Sequence, residues 1–395
     1  MTTVNVVKKR GIRVHPRLMF HIDYWMLLAF AGLVIIGLLT VYSTTFDLGR
    51  QWHDGDAGYF MRRQLIALAL GLVGFVAVFI FDYNLLLKLS IVIFIVAIIG
   101  LIATLAVGVE SLGAKRGLMG GSIQPSELAK LATIIYIAHW LSSKGDRIKG
   151  VTYGLIPFSI IVGAVCGLIV RQPDLSTAVL IASVSFTLFF IAGADLKQFI
   201  LAIVIGGAVF AVLVFVFPHA QARVEAYRIA LENPMAAGYQ VEQTLAAVAN
   251  GGIWGVGPGA STQKFIPLPA AHTDGAFAIL AEEYGLVGSL ATMSLMAILV
   301  WRGLKAAGSA RDGYGFLLAV GITCWLGFQT LLNIAVITAV IPVTGIPLPF
   351  ISYGGSAFAM SIVGAGVLLN VSRDSSIMIR PQPKPSSSRE RRRDS

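Results

Sequence analysis

Apolar runs of about 20 residues recur along this chain, and each is long enough to cross the hydrocarbon core of a bilayer as a helix. The sequence is 56% hydrophobic and 13% charged, whereas ordinary soluble domains carry about 25% charged residues. The runs are continuous rather than alternating, which argues against a membrane β-barrel. The sequence therefore predicts an all-α, polytopic integral membrane protein.

Ten of these runs are predicted to be transmembrane helices. Their predicted boundaries are residues 24–43, 64–82, 89–108, 127–143, 152–170, 174–193, 197–217, 276–301, 314–340 and 355–371. Residues 218–274, between helices 7 and 8, are too polar to span and form a predicted large extracytoplasmic loop. Loops of this length in compact architectures are usually functional. We expect this one to carry short amphipathic helices that lie at the outer surface.

The distribution of Lys and Arg sets the predicted orientation. With the N-terminus inside, the inner loops and tails carry about twice as many of these residues as the outer loops, as the positive-inside rule requires. We expect a basic cytoplasmic N-terminal tail (1–23), a ten-helix membrane domain (24–372) and a disordered, basic cytoplasmic C-terminal tail (373–395). The net charge of +10 then reflects topology and a basic tail, so no nucleic-acid partner is predicted.

Several ionisable residues lie inside the predicted spans, where they are costly and usually functional. QPSELAK opens the fourth span with Glu127 and Lys130, which are three apart, share a helix face and can pair. RQPDLST opens the sixth span with Asp174, and HTDGAFAILAEE opens the eighth with Asp274 and, two turns further in, Glu282–Glu283. The first four of these residues and one of the two adjacent glutamates fall toward the outer leaflet, which predicts an outward-facing polar cavity and a substrate anchored in that leaflet. The competing interpretation is that these charges only pair to hold helices together.

Three local patterns suggest other roles. GVGPG (Gly255–Gly259) resembles a nucleotide-binding glycine loop, but no strand precedes it, so we expect flexible turns that approach a surface helix. His272, Asp274 and Ser261 could suggest a hydrolase triad, but no nucleophile elbow is present. TGIPLPFISYGGSA (344–357) precedes the last span, and irregular backbone at that depth must be buried in protein or line a cavity. A re-entrant or wall segment is predicted there.

Together, QPSELAK, QPDLST, GYQ (Gly238–Gln240), HTD, AEEYG and LPFISYGGS resemble the motifs of the SEDS family (shape, elongation, division and sporulation) of ten-span peptidoglycan glycosyltransferases. The resemblance runs from about Asp23 to Arg373 and leans toward the division branch. It implies polymerisation of lipid II, a disaccharide-pentapeptide on undecaprenyl diphosphate, at the outer face of the bacterial cytoplasmic membrane. The alternative is a lipid II flippase, a transporter without bond-forming activity, which predicts polar residues lining both halves of the membrane.

The resemblance also implies site residues and partners. The family's essential aspartate, in its PExHTD motif, maps onto Asp274, which would be the general base. Substrate-binding roles are predicted for Arg63, Glu127, Lys130, Asp174, His272 and Glu282. Lys130, Arg63 or a bound divalent cation, Mg²⁺ or Mn²⁺, would stabilise the departing diphosphate. The implied partners are a class B penicillin-binding transpeptidase and other divisome or elongasome membrane proteins.

The chain departs from the family pattern at four positions. Ala270 stands where the family usually has Glu, Gly275 replaces a bulky apolar residue, Gly117 replaces Trp, and Ser176 replaces Gly. None of these removes the predicted base. The missing carboxylate at position 270 bears on metal binding and loop geometry, which predicts reduced or differently regulated activity.

Overall fold

Helices dominate the computed structural model, which describes residues 22–111, 114–118, 123–232, 239–262 and 273–378. In chain order the α-helices are α1 (Tyr24–Trp52), α2 (Tyr59–Ile80), α3 (Asn84–Val107), α4 (Pro125–Ser142), α5 (Ile156–Val170), α6 (Leu175–Ile191), α7 (Leu196–Val216), α8 (Pro218–Glu232), α9 (Tyr239–Gly251), α10 (Ala276–Gly308), α11 (Gly313–Ile337) and α12 (Gly355–Met378). Short 3₁₀ and π turns, Gly145–Lys149 and Val151–Leu155, connect α4 to α5.

In the described residues the all-helical prediction holds apart from a short antiparallel hairpin and an isolated β-bridge, Leu118 to Ile123, both between α3 and α4. Strands β1 (Val109–Ser111) and β2 (Ala114–Gly117) pair residue 110 with 115 and residue 111 with 114. Strand β2 ends at Gly117, the residue that replaces the family's Trp.

Among the described residues, eight helices are long and apolar enough to cross a membrane, so the chain is a multi-pass helical membrane protein. Helices α4 and α6 occupy the positions predicted for the fourth and sixth spans. Helix α6 is only 17 residues long, and α4 carries Glu127 and Lys130 in its first two turns. Helix α4 tolerates these charges because most of its residues are buried by neighbouring helices.

Helices α1 and α10 extend beyond their predicted spans. Composition marks where a run stops being apolar, but a helix can continue as long as its backbone N–H and C=O groups keep their hydrogen bonds. In α1, the hydroxyls of Thr40 and Thr44 bond back to carbonyls four residues earlier (2.8 and 2.9 Å), so these polar residues fit within the helix. Helix α10 continues past residue 301 through Arg302 and Lys305, and Lys305 lies in its last turn, where cations favour the helix dipole.

Helices α11 and α12 form the interior of the bundle, and α2, α3 and α7 lie at its periphery. In the most apolar stretch of α11, 67% of residues are buried, compared with 6% in α7. Helix α11 packs against α4, α6 and α10, and α12 packs against α2. The polar residues of α11 are therefore enclosed by protein rather than exposed to lipid.

Helix α10 is broken at Gly285, whose φ of 63° and ψ of −162° are not helical. The glycine-dense segment 251–257, which follows α9, supplies partners to the backbone groups that the break leaves unpaired. Four backbone hydrogen bonds of 2.9–3.2 Å join the two segments: Val256 and Gly257 donate to the carbonyls of Glu282 and Glu283, and Leu286 and Val287 donate to the carbonyls of Gly252 and Ile253. The glycines thus allow the expected close approach to a helix.

Helices α8 and α9 lie within the region predicted as a long loop, as expected for short helices there. Helix α9 packs against α10, and the side chains of Arg223 and Tyr227 on α8 donate to the carbonyls of Thr344 (3.2 Å) and Val340 (2.5 Å). These two contacts tie α8 to the connection between α11 and α12.

The Gly255→Ala substitution is expected to lower the apparent melting temperature, with a cost of about 1–3 kcal/mol. Residue 255 has a φ of +83°, and a Cβ there would lie 2.2 Å from the Glu283 carbonyl oxygen. Thermal unfolding in detergent measures the effect. Gly163→Ala on α5 is the matched control, since a Cβ there meets nothing within 4 Å. Equal melting temperatures for the two variants would contradict the proposed close packing.

Candidate functional site

Glu127 and Lys130 form a buried ion pair in the first two turns of α4. Each residue is 2% exposed, and Lys130 Nζ lies 2.7 Å from Glu127 Oε2. The ammonium also donates to Gln329 Oε1 (3.1 Å) and lies 5.5 Å from the ring centroid of Trp325. The predicted pairing is confirmed, and the pair is enclosed by α11.

Asp174 is the N-cap of α6, and its carboxylate accepts a hydrogen bond from the Thr177 amide (3.3 Å). It is 6% exposed. Two residues further on, the Ser176 hydroxyl donates to the carbonyl of Thr344 (2.7 Å). The serine that replaces the family's glycine therefore links the start of α6 to the connection between α11 and α12.

Asp274 lies just before α10 and is 7% exposed. The Thr273 hydroxyl donates to its Oδ1 (3.1 Å), and Asn333 on α11 donates to its backbone carbonyl (2.9 Å). Gly345 lies beside the carboxylate, since a Cβ on that glycine would be 3.9 Å from Asp274 Oδ2. The carboxylate is thus placed against the segment that follows α11.

That segment, residues 344–352, is irregular and is hereafter the wall segment. Its side chains at Ile346, Leu348, Phe350 and Ile351 are buried, and side chains of other elements satisfy several of its backbone groups. The Thr344 carbonyl accepts from Ser176 and Arg223, the Ile346 carbonyl from Asn333, and the Pro347 carbonyl from Gln329. The predicted irregular segment is therefore buried in protein, and it brings together the starts of α4, α6 and α10.

Arg63 lies in the first two turns of α2, with its guanidinium 5.1 Å from the Tyr59 ring centroid. The residue is exposed. Burial raises the pKa of Tyr353, which follows the wall segment, and the charge and hydrogen bond of Arg63 partly offset that rise. Arg63 is thus near the C-terminal end of the wall segment, whereas Lys130 reaches its middle through Gln329.

Glu282 and Glu283 point to different parts of the bundle. Glu282 is 0% exposed; its carboxylate accepts hydrogen bonds from the Ser261 hydroxyl and from the amide and hydroxyl of Thr262 (3.2 and 2.9 Å). Glu283 accepts from the Ser43 hydroxyl on α1. Glu282 therefore anchors the chain that follows α9, and its predicted contact with substrate stays a prediction.

Glu282→Ala is expected to destabilise the fold by about 1–3 kcal/mol, because it removes the carboxylate that accepts from the buried Ser261 hydroxyl and from Thr262. Differential scanning fluorimetry of the purified protein measures this loss. Glu225→Ala, which removes an exposed carboxylate on α8, is the control and should leave the melting temperature unchanged. A Glu282→Ala variant as stable as the control would remove the anchoring role.

Four further positions singled out by the sequence differ in what the structure shows of them. His272 and Ala270 lie outside the described residues. Gly275, the N-cap of α10, has an ordinary φ of −83°, so its backbone does not require glycine. Ser261 lies against Glu282, which gives it a structural partner in place of the rejected triad.

Sequence reasoning missed the site contacts of four residues: Ser176, which it noted only as a departure from the family pattern, Arg223 in the long loop, and the amides Gln329 and Asn333 of α11. A signal was available for the two amides, which are four residues apart within an otherwise apolar run. Polar residues in such runs usually face protein, and this spacing puts them on one helix face.

The acidic residues of the site do not assemble into a metal-binding cluster in the described part of the chain. No three His, Cys, Asp or Glu residues there are placed to hold one ion. Glu127 is paired with Lys130, Asp174 caps α6, and Glu282 holds the chain after α9. The divalent cation expected at the departing diphosphate stays a prediction.

These features define a class: a multi-pass helical membrane protein with buried carboxylates, one lysine and two amides gathered around an irregular segment at one end of the bundle. The cell cycle protein model for FtsW, RodA and SpoVE matches residues 24–377. The chain belongs to this family, the SEDS family.

Two curated relatives are similar along most of their length. Stage V sporulation protein E of Bacillus subtilis (strain 168) is 38% identical over 348 residues, which cover 86% of this chain and 94% of the relative. A protein of Trichlorobacter lovleyi named probable peptidoglycan glycosyltransferase FtsW is 33% identical over 360 residues, covering 89% and 93%.

Solved structures show the same fold. A chain from a structure described as "Structural coordination of polymerization and crosslinking by a peptidoglycan synthase complex" has a TM-score of 0.73 and 26% identity, covering 89% of this chain and 98% of that one. Rod shape determining protein RodA of Thermus thermophilus has a TM-score of 0.64 and 24% identity, with coverage of 89% and 97%, and supports the fold alone.

Proposed function

We propose that this protein is a peptidoglycan glycosyltransferase that polymerises lipid II into glycan strands. The observation that carries the proposal is Asp274, a nearly buried carboxylate held against the wall segment at the end of the bundle where α4, α6 and α10 begin. The names of the curated FtsW relatives support the same activity. The division branch is the favoured assignment.

Asp274 is the proposed general base. Its carboxylate takes the proton from the C4 hydroxyl of the acceptor sugar as that oxygen attacks the anomeric carbon of the donor. The new glycosidic bond forms while the bond from the anomeric carbon to the diphosphate oxygen breaks, and its electron pair leaves with undecaprenyl diphosphate. Proton transfer of this kind contributes ~10²–10⁴-fold to rate.

The proposed substrate contacts divide between exposed and buried charges. Arg63, exposed at the start of α2, would meet the diphosphate, whose developing charge a guanidinium stabilises. Lys130 and Glu127 are buried, and they would act on the substrate's charge as a fixed ion pair beneath the surface of the site. Asp174, His272 and Glu282 complete the proposed binding residues. A divalent cation at the diphosphate remains a proposal, with no step assigned to it.

We also propose the full topology. Ten helices cross the bacterial cytoplasmic membrane, with α4 and α6 joining the eight longer or more apolar ones, and both termini lie in the cytoplasm. The region 218–274 then lies outside, beside the sugar portion of lipid II. The proposed partner is a class B penicillin-binding transpeptidase, together with other divisome or elongasome membrane proteins. The similar chain from a synthase complex that couples polymerization with crosslinking supports such a partner.

Polymerisation of labelled lipid II by the purified protein, alone and with its cognate transpeptidase, tests the proposal. Gel-resolved glycan ladders are expected. The alternative function, lipid II flipping, predicts translocation in sealed vesicles and no ladder with any partner. The site's position supports bond formation, because its charged residues gather at one end of the bundle rather than lining both halves. Absence of ladders together with translocation would overturn the proposal.

A further inference from the structure

Helix α11 carries a stripe of buried polar side chains that the proposed reaction does not yet use. Trp325, Gln329 and Asn333 follow one another at four-residue spacing and so share one face of the helix. Each is 1% exposed. In the interior of a membrane protein such groups must find partners within the protein.

Gln329 connects the lysine of α4 to the wall segment. Its side-chain oxygen accepts hydrogen bonds from Lys130 Nζ (3.1 Å) and Trp325 Nε1 (2.7 Å). Its amide nitrogen donates to the carbonyl of Pro347 (2.8 Å). A single amide therefore fixes the ammonium and the wall segment relative to each other.

Asn333 makes the corresponding connection to the predicted base. Its amide nitrogen donates to the backbone carbonyls of Asp274 and Ile346, both at 2.9 Å. Ile346 precedes Pro347, so the two amides of α11 hold consecutive carbonyls of the wall segment. One helical turn, a rise of about 5.4 Å, separates the two amides.

We propose that Gln329 and Asn333 are positioning residues that fix Asp274 relative to Lys130 through the shared wall segment. Neither amide contacts the carboxylate of Asp274. Asn333 donates to the backbone carbonyl of Asp274, the residue that carries the carboxylate. Both amides lie on the buried face of α11, which supports the two contacts. Because a displacement of about 1 Å at a reacting group can cost ~10²-fold in rate, loss of this link should reduce turnover. The inference rests on the proposed glycosyltransferase activity.

Steady-state polymerisation of lipid II by the full-length protein with its cognate transpeptidase tests this inference. Asn333→Leu keeps the approximate size of the side chain and removes both donated hydrogen bonds. We expect kcat to fall ~10–100-fold, in line with a small displacement of a reacting group, while KM for lipid II changes by less than about threefold. A purely structural role would lower the amount of folded protein without changing kcat per folded molecule.

Thr330→Val is the matched control. Thr330 is buried on the same helix, but its hydroxyl donates to the carbonyl of Leu326 within α11 (2.8 Å). Its kcat and KM should equal those of the wild type. Gln329→Leu should also lower kcat, and the Gln329→Leu/Asn333→Leu double variant should lose less than the product of the two single losses, because both residues act through one segment.

Distinct outcomes separate the two hypotheses. If the wild type forms no glycan, the proposed function fails. If the wild type polymerises lipid II and Asn333→Leu has the kcat of Thr330→Val, the positioning role is wrong and the function stands. A raised KM at constant kcat also overturns the inference. Should Asn333→Leu not fold, Asn333→Ser, which is too short to reach both carbonyls, is expected to show the same loss of kcat.

Discussion

Replacing Asp274 with asparagine is expected to reduce glycan synthesis by ~10²–10⁴-fold, the contribution of a general base. Asparagine has nearly the same size and keeps a side-chain oxygen, so it can still accept the hydrogen bond from the Thr273 hydroxyl. The hydrogen bond from Asn333 is also kept, because it is made to the backbone carbonyl of residue 274. The loss would therefore reflect the missing proton acceptor rather than a collapsed site.

Gel-resolved polymerisation of lipid II, with thermal unfolding run in parallel, measures this effect. Asp195→Asn is the matched control: Asp195 is an exposed N-cap whose carboxylate accepts from the Lys197 amide (2.8 Å) on α7. It should retain full activity. Wild-type ladders from a folded Asp274→Asn variant would show that the base lies elsewhere.

Replacing Lys130 with methionine is expected to lower the free energy of unfolding by about 3–5 kcal/mol. The substitution leaves the Glu127 carboxylate, whose side chain is 3% exposed, without its cationic partner in a buried environment. Lys149→Met is the matched control, since Lys149 pairs with Asp146 at the same three-residue spacing (3.0 Å) but with both side chains exposed. Exposed pairs contribute about 0–1 kcal/mol, so this control should be nearly neutral.

A double variant separates the structural and functional roles of the pair. Glu127→Leu/Lys130→Met removes both charges and should recover most of the lost stability, because buried ion pairs are often replaceable by apolar residues. Glycan synthesis should remain low, since the fixed charge and the donor to Gln329 are both gone. A stable double variant with wild-type polymerisation would mean that the pair only holds helices together.

Much of the fold could be predicted because it depends on local composition. Each predicted span coincides with a helix, and the charges that open the fourth, sixth and eighth spans lie where the motifs placed them. Helix ends were less predictable, since threonines that look like a boundary in α1 bond back to its own carbonyls. The roles of Glu282 and Glu283 were also beyond prediction, because adjacent residues at the break near Gly285 reach different elements.

The sequence by itself determined that this protein crosses a membrane repeatedly. It also placed Asp174, Asp274 and the Glu127–Lys130 pair at the starts of predicted helices. Hydropathy and helical spacing are properties of neighbouring residues, so the chain reveals them directly. Only the tertiary structure decided what these groups touch. Lys130 and Gln329 are 199 positions apart, and Asp274 and Asn333 are 59 apart. Their contacts exist because α4, α10 and α11 pack around the wall segment, and packing between remote segments leaves no local trace in the sequence.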